Sequence, residues 1–265
     1  MPSLLVFDSS GERLAAALVR WDAASAWPGQ PRTEHRHDGP GGAQASAALV
    51  PVLQSLLDRA GLRWPDLDAV GFGCGPGAFT GVRTACAVAQ GLAFGAGKRV
   101  LPLDTLEAVA HDAWQRASAA GTLAGRRSLW VAQDARMNEI YAARYAFDDE
   151  GRSQALEPPA LYAVAALQAR WRDEPPEWIA GSALGAFGSA LALDAGHAGA
   201  AVLDGLAAPG AAALAALACQ RFAVDVLVEP SAARPLYLRD KVALTTLERE
   251  ALRTASPAAE APLAR

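Results

Sequence analysis

The stretch GFGCGPGAFTGVR, Gly71 to Arg83, is where chemistry is easiest to imagine. Glycines at 73, 75 and 77 allow positive φ and close backbone approach, and the loop feeds a predicted helix whose unpaired N–H groups attract anions. That is a phosphate cradle or a tight strand-to-helix turn, and spacing alone leaves both open. It is not a Walker A loop, because Val82 and Arg83 follow Gly81 where a Lys is needed. Gly73, Gly75 and Ala78 satisfy the relaxed dinucleotide pattern GxGxxA, a weak signal in a chain with 24 glycines. The acid that should follow is poor: Asp104 comes after a Pro-containing strand. Asp8 closes the first predicted strand inside a polar turn, where an aspartate is either a metal-linked acid or a turn cap. Asp134 carries the same ambiguity, with a Gly-free turn behind it. A nucleotide site would draw on Asp8, Gly75, Gly77 and Thr80.

The remaining reactive types form no constellation. His35 and His37 fall in a Gly/Pro-rich stretch without carboxylate or Cys at ligand spacing, and His111 and His197 stand alone. No Ser lies in a GxSxG context. Cys74, Cys86 and Cys219 are far apart and odd in number, which argues against zinc and disulfides and fits a reducing cytosol. Net charge is −4, so the footprint of direct phosphate-backbone binding is missing. The opening MPSLLVFDSSGER has no basic start and reads as neither signal peptide nor anchor, and no continuous apolar run reaches the ~18 residues of a membrane span. With 52% hydrophobic residues and a mean hydropathy of +0.11, the chain can bury a sizeable core.

The elements that must position these residues follow from periodicity. Ser3–Phe7 and Leu14–Val19 read as a hairpin, and residues 22–44 as a long mobile connection. Ser46–Ala60 is an amphipathic helix stopped by Gly61, with Pro51 tolerated if the helix starts near Ala48. A strand at Asp68–Gly73 leads into the loop, and Thr80 is placed to cap a helix running to about Phe94. Farther on come a helix at Leu106–Ala117, a hairpin of Ser128–Gln133 with Glu139–Phe147, a helix near Ala163–Trp171, a strand at Trp178–Ala180 and a helix near Ala211–Phe222. SLLVF-DSSGERLAAALV and SLWVAQDARMNEIYAARY share one plan, matching Asp8 to Asp134 and Leu14 to Ile140. Two such starts about 125 residues apart suggest a duplicated α/β unit. The paired apolar residues of the first helix, and the alanine stripe of the second, suggest faces turned both inward and toward a partner.

Four motifs in order resemble the TsaB family. GPGAFTGVRTACAVAQGLAFG (Gly75–Gly95) is similar to its GPGSFTGLRIG…AQGLA, DARMNEIY (from Asp134) to its DARMxE[VI]Y, and Pro235–Arg239 to its PxYLR, after the opening LLVFDSS. The resemblance implies an actin-like ATPase (ASKHA) fold, α/β with two RNase H-like domains of mixed sheets flanked by helices, at residues 1–104 and 105–248, with 249–265 a disordered tail. It also implies a non-catalytic subunit that binds the paralogue TsaD, which holds ATP and metal and transfers threonylcarbamoyl to tRNA. TsaE, an ATPase, would join; the chain would homodimerise when alone, reach tRNA only through the complex, and work in the cytoplasm with no cofactor of its own. In the family the helices matching Ser46–Ala60 and Val82–Phe94 meet the partner, so Leu49, Val52, Leu53, Leu56, Ala85, Val88, Ala89 and Leu92 are the expected interface. Three features depart from the pattern. The signature Ser is Ala78, Gly41–Ala45 replaces the family's REH segment, and the tail after Leu247 has no counterpart. An ATP-using enzyme of the same superfamily and an NAD-dependent oxidoreductase are the other expectations to test.

Overall fold

The computed structural model describes residues 1–21, 33–123, 125–191, 202–224 and 226–239. The expected tail, 249–265, and His197 lie outside them. Three strands open the chain, β1 (Ser3–Asp8), β2 (Arg13–Arg20) and β3 (Thr33–Pro40), followed by helix α1 (Ala45–Ala60), β4 (Ala69–Gly75), α2 (Phe79–Ala96) and β5 (Arg99–Asp104). The second half repeats the start. Helix α3 (Thr105–Ala119) leads to β6 (Ser128–Asp134), β7 (Glu139–Phe147), β8 (Ser153–Ala163), α4 (Val164–Asp173), β9 (Trp178–Ala180), α5 (Ala183–Phe187), β10 (Val202–Asp204) and α6 (Ala211–Ala223).

The duplication is explicit in the sheets. Their orders are β3-β2-β1-β4-β5 and β10-β9-β6-β7-β8, the same plan read in opposite directions. In each half the opening strand pairs antiparallel with its hairpin partner and parallel with the strand after the crossover. Asp8 ends β1 and Asp134 ends β6, as the internal alignment requires.

Each central strand is buried on both faces, so its side chains alternate between two cores. Leu5 and Phe7 point toward α1 and α2, while Leu4 and Val6 point toward α6. On the second sheet, Leu129 and Val131 meet α3, whereas Trp130 and Ala132 meet α4. Helices α3 and α6 pack on each other between the sheets, and α6 covers the first sheet. A break at 104/105 therefore divides the sheets but not the cores.

Several elements depart from the sequence reading, each for a physical reason. Residues 33–40 form a strand, not a loop, and it carries His35 and His37. It is an edge strand whose only strand partner is β2, so no continuous apolar run marks it. The eleven-residue β8 is likewise an edge strand, and edge pairing tolerates Pro158 and Pro159 beside the register shift opposite Ala142 and Arg144. α1 starts at Ala45, which places Pro51 inside the helix with its ring exposed. Gly61, at φ 65°, ends α1 as expected.

A polar network locks β8 to the two inner helices. Ser153 Oγ donates to Glu107 and lies 2.8 Å from His111 Nε2, Gln220 takes the Ser153 N–H at 3.1 Å, and Arg221 pairs with Glu107. Ser153, His111 and Glu107 are all buried, so this Ser–His–Glu cluster is a clamp without substrate access. Nearby, Tyr145 on β7 donates to Asp104 at 2.5 Å, joining the second sheet to the end of the first. Burial, with Arg221 close by, pushes His111 down to about 3. Burial pushes Asp104 up to about 7 despite its bonds from Tyr145 and the Leu106 N–H.

These two shifts oppose each other. His111 is neutral in the fold but charges in the unfolded chain below 6.5, so its contribution is complete above 6.5 and is lost as pH falls toward about 3. Asp104 stays protonated in the fold while the unfolded acid ionises above 3.8, so its contribution is complete below 3.8 and is lost as pH rises to about 7. Relative to wild type, His111→Gln should make unfolding free energy fall with rising pH between 4 and 6.5, by up to about 1.4 kcal/mol per unit, and Asp104→Asn should make it rise by as much. Urea unfolding at a series of pH values measures both slopes.

Candidate functional site

The two hairpin turns, Asp8–Glu12 and Asp134–Asn138, face each other across a cleft of about 600 Å³ between the sheets. It is lined among others by Ser10, Glu12, Gly77, Thr105, Gln133, Asp134 and Ser182. In size it would suit a small ligand. What the lining groups already bind determines what it can grip.

Asp8 is bonded within the protein. The residue is 1% exposed. Oδ1 accepts from the Ser10 N–H and the Ser10 hydroxyl, both at 2.6 Å, and Oδ2 accepts from the Thr105 hydroxyl at 2.7 Å. Thr105 Oγ1 in turn accepts the Gly75 N–H at 3.1 Å. One carboxylate thus ties together the β1–β2 turn, the glycine loop and the start of α3. Both oxygens already accept internal bonds, so a ligand at the cleft would compete with them.

The glycines serve that same close packing. A methyl at Gly73 would overlap the Asp8 carboxylate, one at Gly77 would lie 2.6 Å from Ser10 Cβ, and one at Gly81 would overlap the Ser9 carbonyl. The Ala78 N–H is taken by the Ser10 carbonyl at 2.7 Å, and Ser9 Oγ donates to the Gly81 carbonyl at 3.0 Å. Of the two readings of this loop, the tight packed turn fits these contacts. Ala78 is the N-cap of α2 and makes no side-chain cap bond; Thr80, expected as the cap, sits exposed in the first turn. Of Asp8, Gly75, Gly77 and Thr80, the first two are interior, Gly77 lines the cleft and Thr80 is exposed outside its lining.

The second turn is closed on itself too. Asp134 accepts the Arg136 N–H at 2.7 Å and the Arg136 guanidinium at 3.0 Å. Burial, helped by Asp104 and Asp8, pushes the Cys74 thiol up to about 12, which removes it as a nucleophile. Among the described residues no three His, Cys, Asp or Glu are grouped so as to hold a metal, and no helix is long and apolar enough to cross a membrane.

Five of the eight expected partner-facing residues lie in the core instead. Leu49, Leu53 and Leu56 of α1 and Ala85 and Ala89 of α2 are at most 1% exposed and belong to the core beneath both helices. Val52, Val88 and Leu92 are half-buried at its margin. The apolar residues of α1 from Leu49 to Leu57 span roughly 160° of helix surface: Leu49, Leu53, Leu56 and Leu57 lie on the core, and Val50 at the outer edge is 44% exposed. The outward face of α2 carries residues that the sequence reading missed: Ala87 and Gly91 are exposed, Phe94 is 81% exposed, and a methyl at Gly91 or Gly95 would meet nothing within 4 Å. An exposed Phe beside small residues was the available signal.

Comparison with known proteins settles the family. Residues 40–246 match the family model described as TsaD, tRNA N6-adenosine threonylcarbamoyltransferase. The Escherichia coli tRNA threonylcarbamoyladenosine biosynthesis protein TsaB is 34% identical over 196 residues, covering 74% of this chain and 80% of the relative. The chain belongs to the TsaB family. The YeaZ structure from Pseudomonas aeruginosa superposes with a TM-score of 0.72 at 29% identity, over 90% of this chain and all of that one. A tRNA N6-adenosine threonylcarbamoyltransferase from Erythrobacter litoralis matches at 32% identity over 40% of this chain and 33% of its own length. The two mixed sheets with their flanking helices are the actin-like two-domain α/β fold expected of a TsaB protein.

The Asp8 hub gives a stability prediction. Asp8→Ala strands the Ser10 and Thr105 donors in the interior and should lower unfolding free energy by on the order of 3 kcal/mol, measured by urea titration.

Proposed function

We propose that this TsaB-family chain is a non-catalytic subunit that docks a TsaD-type partner through the outward face of α2 and the adjoining margin of α1. On this reading the partner holds ATP and metal and transfers threonylcarbamoyl to the adenosine beside the tRNA anticodon, with a TsaE-type ATPase in the same assembly. The chain itself needs no cofactor, reaches tRNA through the complex, forms a homodimer when the partner is absent, and works in the cytoplasm. The observation that carries the proposal is the surface of α2. Ala87, Gly91 and Gly95 leave a shallow, small-residue track, edged by Phe94 on one side and by the half-buried Val88 and Leu92 on the other. Small residues let a second helix approach closely, and an exposed aromatic beside them is the kind of side chain that dominates interface energetics. Val50, at 44% exposed, and Val52 would extend the surface along α1.

The cleft supports the same reading from the other side. A subunit that used ATP would keep acids and loop amides free to face phosphate, and here Asp8 and the Ala78 amide are bound internally.

The burial pattern also decides which substitutions test the proposal. An Asp at Leu53 or Ala89 would place an unpaired charge in the core and unfold the chain whether or not a partner exists. Gly91 faces open space inside α2 and has no left-handed backbone, so Gly91→Arg should not lower the melting temperature. On mixing with the TsaD-type protein of the same cell, it should weaken heterodimer formation at least tenfold by sedimentation velocity, a loss of about 1.4 kcal/mol or more. Heterodimer of wild-type strength would remove α2 from the interface.

A further inference from the structure

After α6, the chain returns as a strap, Val228 to Arg239, with one 3-10 turn at Pro230–Ala232, that crosses the first half and ends on the second. Val228 exchanges two backbone bonds with Val100 of β5, at 2.9 and 2.8 Å. The Ala233 carbonyl then accepts from Gln90 Nε2 at 3.1 Å, the Leu236 N–H donates to the Cys74 carbonyl at 2.7 Å, and the Tyr237 hydroxyl accepts from Arg83 Nε at 2.7 Å. Arg83 also stacks 3.7 Å above the Phe79 ring, which lies 5.9 Å from the Tyr237 ring. Up to this point nearly every tie is to β4, β5 or α2. The last one crosses over. Arg239 Nη2 donates to the carbonyls of Ala135 at 3.0 Å and Arg136 at 3.3 Å and pairs with Glu139.

The turn gripped there is strained. Arg136, Met137 and Asn138 have φ of 62°, 55° and 62°, a full run of left-handed residues with no glycine. Asn tolerates that region; Arg and Met ordinarily avoid it, and such conformations persist where surrounding contacts enforce them. The turn's own bonds are the Asp134–Arg136 contacts, the Glu139 N–H to the Arg136 carbonyl at 3.1 Å, and the Ala135 N–H to the Glu139 carbonyl at 3.0 Å. Across the cleft, Arg136 also meets Glu12 at 3.3 Å, but both side chains are mostly exposed, and such a pair contributes little. The guanidinium of Arg239, 16% exposed and bonded to two carbonyls and a carboxylate, is the stronger grip.

We propose that the strap is a latch on the cleft: Arg239, anchored to α2 through Tyr237 and Arg83, keeps the Arg136–Asn138 turn left-handed and so holds the second half's rim against the first. Releasing the strap lets the turn relax toward ordinary backbone and frees that rim. The position of α2 and the shape of the cleft are then mechanically joined, independently of what binds to either.

Hydrogen exchange on the full chain tests this without any partner. Arg239→Ala should speed exchange of the 136–139 amides about tenfold or more, the effect of losing a charge-assisted bond, while α6 amides keep their wild-type rates. Adding Met137→Gly to Arg239→Ala should slow those amides again, because glycine holds positive φ without strain. Arg83→Ala, which touches no atom of the turn, should also speed them. Unchanged exchange in Arg239→Ala, or acceleration spread evenly through the chain, would overturn the latch. No slowing by the added glycine would overturn the strain, and an Arg83→Ala turn as protected as wild type would overturn the tie to α2. None of these outcomes depends on the partner assignment, which the Gly91 variant tests separately.

Discussion

A single buried carboxylate organises the first half of the molecule. Asp8 gathers the Ser10 amide, the Ser10 hydroxyl and the Thr105 hydroxyl, and Thr105 passes the connection to the Gly75 amide. A buried charge is tolerable only when its lone pairs are met by donors, so those donors are not free to move. The turn after β1, the glycine loop before α2 and the first residue of α3 are thereby held in one arrangement. Gly73 has no side chain because the carboxylate fills that space, and Gly77 and Gly81 lack one because the Ser9–Ser10 backbone does. The most conspicuous motif of the sequence is therefore the receiving surface of one aspartate and its turn.

That constraint also fixes where α2 starts and which way it faces. With Ala78 bound to the Ser10 carbonyl, α2 leaves the loop with Val82, Ala85, Cys86, Ala89 and Ala93 turned to the sheet. Alanine at three of these five positions brings the helix axis near the strands, close enough for α1 to share the same core through Leu49, Leu53, Leu56 and Leu57. The opposite side of α2 is left with Ala87, Gly91 and Gly95. Inward alanines set how closely α2 lies on its own sheet, and outward small residues set how closely anything else can lie on α2. The two stripes look alike in the sequence, and only the position of the helix start separates them.

Much of this was legible, and the failures share causes. The strand–Asp–turn–strand plan at Ser3 and Ser128 could be read because a strand buried on both faces is an unbroken apolar run closed by turn residues. α1 was legible from Leu49 to Leu57, and the four ordered motifs carried the family. β3 was not legible, because TEHRHDGP is an edge strand with polar residues on both faces. β8 was hidden by Pro158 and Pro159, which argue against a strand everywhere except at an edge. The interface residues were misplaced because periodicity identifies a face without saying whether it looks at the molecule's own sheet or at solvent. Leu53 and Ala89 fit either case equally well until the register of each helix on the sheet is known. The three left-handed residues at 136–138 left no trace in the sequence, since Arg and Met are not residues that signal positive φ.

The two hairpin turns show how similar architecture can carry different chemistry. Both follow a strand ending in Asp, and both face the same cleft. In the first, the Asp is buried under two hydroxyls and a backbone amide from two segments. In the second, Asp134 pairs with Arg136 in its own turn, and Arg239 from the far end of the chain binds the carbonyls behind it. Each rim spends its polar groups on holding its own shape. Gripping a phosphate chain would require those bonds to be broken first, at a cost set by the buried carboxylate on one side and by the charge-assisted bonds of Asp134 and Arg239 on the other. A cleft built in this way is better suited to fixing the relative position of two halves than to turning over a charged ligand. That agrees with the docking role proposed for α2.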